Sequence, residues 1–403
     1  NYAYWMAVCR YAEADKLGKF DLVVLDEAHA TPDELADFCT IDLERADVKS
    51  ILDMAMPDVD EGTAAVTEWA AAALKVCRTC YVEAREALKN ASPKSRRSAA
   101  HHLKRVTELG RSLRELAGAH KWRRAEDADP KVSIPGMETD WVMTRTSTGA
   151  RFSPVWAHAY AESYLFASAP NLLLSSATLQ RQTARHLGLD LADCEWLEAK
   201  TSFDPANRPL TYVPTAAISS KSVEGELRRW ANRIDEIAEA RPNWKGIVHT
   251  TSYVWAEEVM RRCKSRGRMI IHGRDDAREK VEAFKRTRGA AILVSPTVAE
   301  GYDFPHDECR FQILAKVPFV DGRDPVIRER ARRDRTYLNQ LAAQKVMQQV
   351  GRGTRAEDDW CESFIIDDNW VWFWAAARKQ NLFTDWFVRA YRAEQSVPKP
   401  RAA

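Results

Sequence analysis

Asp26 and Glu27, with His29 two positions further on, follow directly on the apolar run Leu22-Val23-Val24-Leu25. Adjacent carboxylates of this kind suit phosphoryl chemistry. Asp26 can hold Mg²⁺ through its water shell, and Glu27 can orient and deprotonate a water that attacks a γ-phosphate. His29 can then sense the state of the nucleotide. Acidic residues also end strands and cap helices with no chemistry at all, so these four positions alone leave both readings open. The run before them is rich in β-branched residues and has no polar break. It predicts a strand buried on both faces of a parallel sheet, whose carboxyl-terminal edge is where ligands bind in open α/β folds.

Three later stretches add to this. Leu172-Leu173-Leu174 predicts a second buried strand ending in Ser175-Ser176-Ala177-Thr178, small hydroxyl side chains that can bond a carboxylate without blocking closure. Val294–Pro305 holds Glu300-Gly301-Tyr302-Asp303-Phe304, where Gly301 allows close backbone approach between two acids. In Gln348–Arg355, Arg352 and Arg355 stand three apart on a predicted helix, which projects both guanidinium groups from one face, and Gln348 joins that face one turn earlier. An arginine aimed at a transferring phosphoryl group raises rates by roughly 10³–10⁵ in related reactions. His249-Thr250-Thr251-Ser252-Tyr253 falls where a predicted strand meets a predicted helix. Hydroxyls and backbone amides at such a point suit the phosphates of a nucleic-acid strand.

In order and spacing, Asp26–His29, Leu172–Leu179, Val294–Pro305 and Gln348–Arg355 resemble motifs II, III, V and VI of superfamily 2 helicases of the XPD and DinG-like branch, and His249–Tyr253 resembles motif IV. The resemblance covers most of the chain except about residues 40–150. It implies an ATP-dependent helicase that moves along single-stranded or forked nucleic acid, 5′ to 3′ on DNA, as a monomer with ATP and Mg²⁺. Asp26, Glu27, His29, Arg352 and Arg355 are then the catalytic residues, with Asp26 the Mg²⁺ residue. Gln348, Gly301 and Asp303 join Asp26 and the two arginines around the nucleotide. Thr250, Thr251, Ser252, Tyr253 and Glu300 contact nucleic acid, and Ser176, Ala177 and Thr178 couple the two sites. A phosphate-binding loop GxxxxGK[S/T], which normally grips the triphosphate in this class, does not occur in the 403 residues. The sequence therefore reads as a motor truncated at its N-terminus, with little ATPase activity of its own. The iron–sulfur cysteines of the family lie before motif II, where only Cys9 remains, so no cluster is expected from these residues.

Elements that position such a site are legible from periodicity. Strands are predicted at Leu210–Val213, Gly246–Thr250, Met269–His272, Ala291–Ser295, Phe311–Ala315 and Phe364–Ile366. Helical patterns at 223–240, 253–265 and 276–287 separate them, as in a parallel RecA-like sheet. Residues 2–18 read as a helix, and Thr31 as the cap of the next. Apolar residues at helical spacing, such as Val66-Trp69-Ala70-Ala73-Leu74-Cys77, make about 40–128 a helical insertion, arch-like by resemblance. Residues 129–165 read as a β-rich return, and 323–335 as an Arg-rich helix. The fold class is thus α/β, with two RecA-like parallel-sheet domains of the P-loop NTPase type. The first domain is incomplete (1–39 and 129–204) and carries the insertion; the second spans 205–403.

Composition sets outer bounds. A hydrophobic content of 45% and a charged content of 29% are ordinary for a globular chain, and no apolar run reaches the ~20 residues of a membrane span. A cytoplasmic protein, of a bacterium or of a phage in its host, is expected. Net charge is only +2, yet residues 75–124 carry fourteen Lys and Arg against four acids. That stretch is either a phosphate-contacting face or a solvated helix surface. Cys77-Arg-Thr-Cys80 lacks a second pair and reads as reduced thiols on a helix. Trp370, Trp372, Phe373, Trp374, Phe383, Trp386 and Phe387 read as helix packing on the second core in preference to base stacking. Two rival functions stay open: a non-catalytic nucleic-acid-binding module, and a metal-dependent hydrolase using Asp26, Glu27 and His29.

Overall fold

The computed structural model describes residues 1–11, 18, 20–58, 62–118, 141–166, 171–298 and 301–401. In chain order it runs α1 (Tyr2–Tyr11), β1 (Val23–Asp26), α2 (Thr31–Cys39), β2 (Ile41–Glu44), α3 (Arg45–Leu52), α4 (Gly62–Lys89), α5 (Arg96–Gly118), β3 (Trp141–Arg145), β4 (Gly149–Pro154), α6 (His158–Ala161), β5 (Leu172–Ser175) and α7 (Arg181–His186). It continues with β6 (Leu210–Ala216), α8 (Glu224–Glu239), β7 (Gly246–His249), α9 (Tyr253–Arg262), β8 (Met269–Ile271), α10 (Ala277–Arg286), β9 (Ile292–Ser295), β10 (Phe311–Leu314), α11 (Pro325–Arg333), α12 (Tyr337–Val350), β11 (Glu362–Asp367), α13 (Asn369–Lys379), α14 (Asp385–Ala390) and β12 (Tyr391–Ala393). The chain forms two compact units, Asn1–Trp196 with Gly322–Asp334, and Leu197–Asp321 with Arg335–Ala403. The segment 322–334 therefore interrupts the single block 205–403 expected from the sequence. The Arg-rich helix α11 forms as predicted but folds with the first unit.

In the first unit β1 pairs in parallel with β5, Asp26 opposite Ser175. The expected burial on both faces does not hold. Leu25 is 5% exposed, while Leu22, Val24 and Leu173 are 51%, 53% and 50% exposed. Among the described residues the two strands have only each other as ladder partners, so only one face packs on the core that holds Met6, Ala28 and Leu35. The insertion is a long helical hairpin whose α4 residues Val66, Ala70, Ala73 and Cys77 meet Val106, Leu109 and Leu113 of α5. Gly110 lets the helices close, since a Cβ there would stand 3.2 Å from Cys77 Sγ. The insertion is not wholly helical, because β2 pairs antiparallel with β4, and β4 with β3. Residues 158–166 are helical, against the strand-rich expectation, and 119–140 lie outside the described residues. Thr31 is the first residue of α2, not its cap, and its hydroxyl donates to Tyr2 Oη at 2.9 Å.

The second unit is a seven-stranded parallel sheet in the order β12-β6-β11-β10-β7-β9-β8. Every residue of β7, β9, β10 and β11 is buried, as expected of strands covered on both faces. All six strands predicted here form; the short β12 is an addition. His249 stands opposite both Leu314 and Ser295, so the loops after β7 and β9 leave the carboxyl-terminal edge side by side. Trp370, Phe373 and Phe387 are buried, with Trp374, Phe383 and Trp386 packed around them. Trp372 is 50% exposed and stacks on Phe319. Among the described residues no helix is long and apolar enough to cross a membrane.

Candidate functional site

In the first unit the turn after β1 is set by backbone strain. Glu27 takes φ 50° and ψ 40°, a left-handed conformation that is uncommon for a residue with a side chain. Such outliers gather where structure over-determines a functional geometry. Tyr2 Oη donates to the carbonyl of Asp26 at 2.7 Å, fixing the turn from α1, a contact no motif announces. Burial raises the phenol pKa of Tyr2, which keeps it protonated as a donor.

Motifs II and III meet here. Ser176 Oγ is 3.3 Å from Glu27 Oε2 and 2.7 Å from His29 Nδ1, and His29 Nδ1 is 3.2 Å from Glu27 Oε2. The amide of Thr178 also donates to Ser176 Oγ at 3.2 Å. With the proton on His29 Nδ1, every group is satisfied: Ser176 receives from His29 and Thr178 and donates to Glu27. Glu27 stays 63% exposed, while the His29 side chain is 10% exposed. Asp26 is exposed at the strand end, and its carboxylate has no hydrogen-bond partner among the described residues. Ala177 links the two hydroxyl residues, and Thr178 is 4% exposed, its own hydroxyl without a partner among the described residues.

No group of three or more His, Cys, Asp or Glu side chains converges as a metal site among the described residues. Cys77 and Cys80 bond separate carbonyls, of Val106 and Ile51, and burial pushes the Cys77 thiol up to about 11.

In the second unit motifs V and VI interlock. Gly301 has φ +77°, the conformation for which glycine is suited. Glu300 lies outside the described residues. The Asp303 carboxylate takes both motif VI arginines, Arg355 and, at 3.3 Å, Arg352; Arg352 also donates to the Tyr302 carbonyl at 3.2 Å. The helical spacing expected for the pair is not what joins them. Helix α12 ends at Val350, Arg352 lies in a 3₁₀ turn and Arg355 in the loop beyond, while Gln348 stays on the helix. A Cβ on Gly353 would stand 2.4 Å from Cys361 Sγ, so this turn presses directly on the start of β11.

Sequence reasoning missed Asp359. Fully buried, it accepts the amides of His306 and Arg355 at 3.0 and 3.1 Å and the Arg310 guanidinium at 2.9 Å, so it holds the loops after motifs V and VI together. An acid three residues before the start of β11 carries no sequence signal for such a role.

The motif IV turn is only partly available to ligands. Thr250 is 1% exposed and its hydroxyl donates to the Ser252 carbonyl, so it shapes the turn and presents nothing to solvent. Ser252 caps α9 by accepting the Trp255 amide. Thr251, Ser252 and Tyr253 are half-buried, and the Arg274 guanidinium lies 5.7 Å from the Tyr253 ring centroid. His249 is buried at the end of β7. Gln312 donates twice through its amide nitrogen, to Val350 and Ser363, so its oxygen faces His249 and receives Nε2–H. Burial lowers the His249 pKa to about 4.

Comparison with known proteins bears on the fold. The family profile of the helicase C-terminal domain matches residues 234–388. No curated protein matches the sequence. Among solved structures, Xpd4 of S. tokodaii is similar at 14% identity and a TM-score of 0.56, over 98% of this chain and 81% of that one. An apo XPD is similar at 13% and 0.53, over 93% and 79%, and an XPD helicase at 12% and 0.51, over 96% and 72%. Identities this low speak for the fold. Residues 234–388 are thus similar to a helicase C-terminal domain, in a chain whose α/β fold is similar to that of these XPD structures.

Proposed function

We propose that this chain serves a motor that couples ATP hydrolysis to movement along single-stranded nucleic acid and to duplex unwinding, 5′ to 3′ on DNA. The observation that supports it best is the Glu27, His29 and Ser176 cluster at the carboxyl end of the β1 and β5 pair. In this reading Glu27 takes the proton of the attacking water and Ser176 senses its charge. His29 keeps the serine hydroxyl aimed at the carboxylate. Arg352 and Arg355, held by Asp303, stabilise charge on the transferring phosphoryl group. Asp26 fits Mg²⁺ as a lone, exposed, hard oxygen donor, the pattern of an ion that keeps most of its waters and takes phosphate oxygens. When bound, that ion supplies charge neutralisation at the phosphates. Thr251, Ser252 and Tyr253 contact the strand.

The test uses a form of the protein that also carries a phosphate-binding loop. Glu27→Gln keeps nucleotide binding and lowers kcat at least ~10²-fold, the loss expected when a general base is removed. Unchanged turnover would assign Glu27 to structure. Unwinding of duplexes with a 5′ tail but not a 3′ tail tests the direction.

The absence of GxxxxGK[S/T] from the 403 residues favours a second reading, a nucleic-acid-binding module that does no catalysis. Residues 1–403 by themselves are expected to bind single strands weakly and to hydrolyse ATP negligibly. Robust ATPase activity from them would overturn that expectation.

A further inference from the structure

One cavity of the first unit belongs to none of the motifs. It is an open cleft of about 690 Å³ between β3 and α11, within the range of ligand pockets. Its lining includes the guanidinium side chains Arg145, Arg328, Arg332 and Arg333 and a single carboxylate, Glu329. Glu329 is already engaged, at 2.7 Å by Arg332 and 2.8 Å by Arg333. Among the described residues Arg145 is held only by Asp58, in an ion pair whose two side chains are 59% and 56% exposed, a contact that a ligand anion displaces at little cost.

The wall is fixed in place. Arg330 is 4% exposed and donates to the Val155 carbonyl and to Asp33 Oδ1, both at 2.6 Å, with its guanidinium 5.1 Å from the Trp156 ring centroid. It ties α11 to α2 and to the end of β4. Arg328 and Arg332, four apart, share one face of α11, and Arg330, two positions from each, points away from that face. Four guanidinium groups against the one carboxylate of Glu329 leave the cleft an excess of positive charge, and the planar guanidinium fork matches phosphate oxygens.

We propose that this cavity is a second contact for single-stranded nucleic acid, gripping the phosphodiester backbone through Arg145, Arg328 and Arg332. The proposal rests on the strand-binding half of the function proposed above. Trp141, the cavity's aromatic lining residue, is buried in the wall and offers no exposed ring. Recognition is therefore through phosphate and is indifferent to base. Free phosphates share the same chemistry, so the experiment separates the two sources.

The measurement is fluorescence anisotropy of a labelled oligothymidylate with the 403-residue protein across a salt series. Arg145→Gln with Arg328→Gln changes two exposed side chains, and thermal melting checks that the fold is kept. The expected result is roughly tenfold weaker binding at low salt and a salt slope smaller by about 1.4, two phosphate contacts at ~0.7 each. Arg328→Lys keeps the charge and so keeps the slope. Wild-type affinity and slope in the double variant overturn the proposal, as does a variant that loses pyrophosphate binding while holding the oligonucleotide normally. A wild-type protein that binds no oligothymidylate at all overturns the strand-binding reading itself, and this proposal with it.

Discussion

Ser176 Oγ lies 2.7 Å from His29 Nδ1 although 147 residues separate them in the chain. That contact makes motif III the neighbour of motif II, with Glu27 on the other side of the same hydroxyl. Ser176→Ala removes the hydroxyl that bonds both side chains and leaves only their direct 3.2 Å contact. In a form of the protein with a phosphate-binding loop, this is expected to lower the stimulation of ATPase by single strands more than the basal rate. Equal losses in both rates would make Ser176 a part of the hydrolytic step alone.

Arg352 and Arg355 share Asp303, so each must leave or share that carboxylate to meet a phosphate. In a form of the protein with a phosphate-binding loop, Arg352→Lys and Arg355→Lys are expected to cut ATP turnover, because an ammonium cannot reproduce the planar fork. Strand affinity without nucleotide is expected to change little. If both variants lose strand affinity and keep turnover, the pair is a nucleic-acid surface.

Gly353 has no room for a methyl group, with Cys361 Sγ at 2.4 Å and Cys361 Cβ at 2.7 Å from the position a Cβ would take. Gly353→Ala is expected to destabilise the second unit by ~1–3 kcal/mol, the range for overpacking a closed core. Thermal melting measures it. Cys361→Gly in the same chain should recover part of the loss, since contacting sites couple; a purely additive double variant would place the strain elsewhere.

His249 titrates far below its ordinary range because burial disfavours the imidazolium. A depressed folded pKa means the unfolded chain binds the proton more readily. The contribution to stability is therefore whole above about 6.5 and is lost as pH falls towards about 4. The size is about 3 kcal/mol at most, by proton linkage. Unfolding at pH 7, 6, 5 and 4 checks it against His249→Gln, whose stability should fall less steeply over the same window. Parallel curves would show that His249 is not the group responsible.

Much of the second unit is legible in sequence because its strands are covered on both faces, and the runs at Gly246–His249, Ile292–Ser295 and Phe311–Leu314 are mostly apolar, with Gln312 the one polar residue inside them. The first unit is less legible. The exposure of Val24 depends on which neighbours β1 has, and no local pattern carries that. The segment 322–334 reads as a helix wherever it packs, so its membership of the first unit rests on Arg330 finding Asp33 nearly 300 residues away. In the site, the residue types of motifs II, III, V and VI were visible. The 3₁₀ turn that carries Arg352 was not, because Gly351 and Gly353 end α12 within a pattern that otherwise continues. Asp359 and Tyr2 act through backbone groups, and backbone contacts leave no trace in residue spacing.

Of the four residues in β1 only Leu25 is buried, and the facing strand β5 alternates in the same way. Elements with few buried contacts open at low free energy, ahead of a protein's global unfolding. Amide hydrogens at 23–26 and 172–175 should therefore exchange with solvent sooner than those of the seven-stranded sheet. Asp26 and Glu27 thus ride on a soft support while Arg352 and Arg355 are moored to a stiff one. Any ligand that engages the two carboxylates will register first as a slowing of deuterium uptake along this one pair of strands.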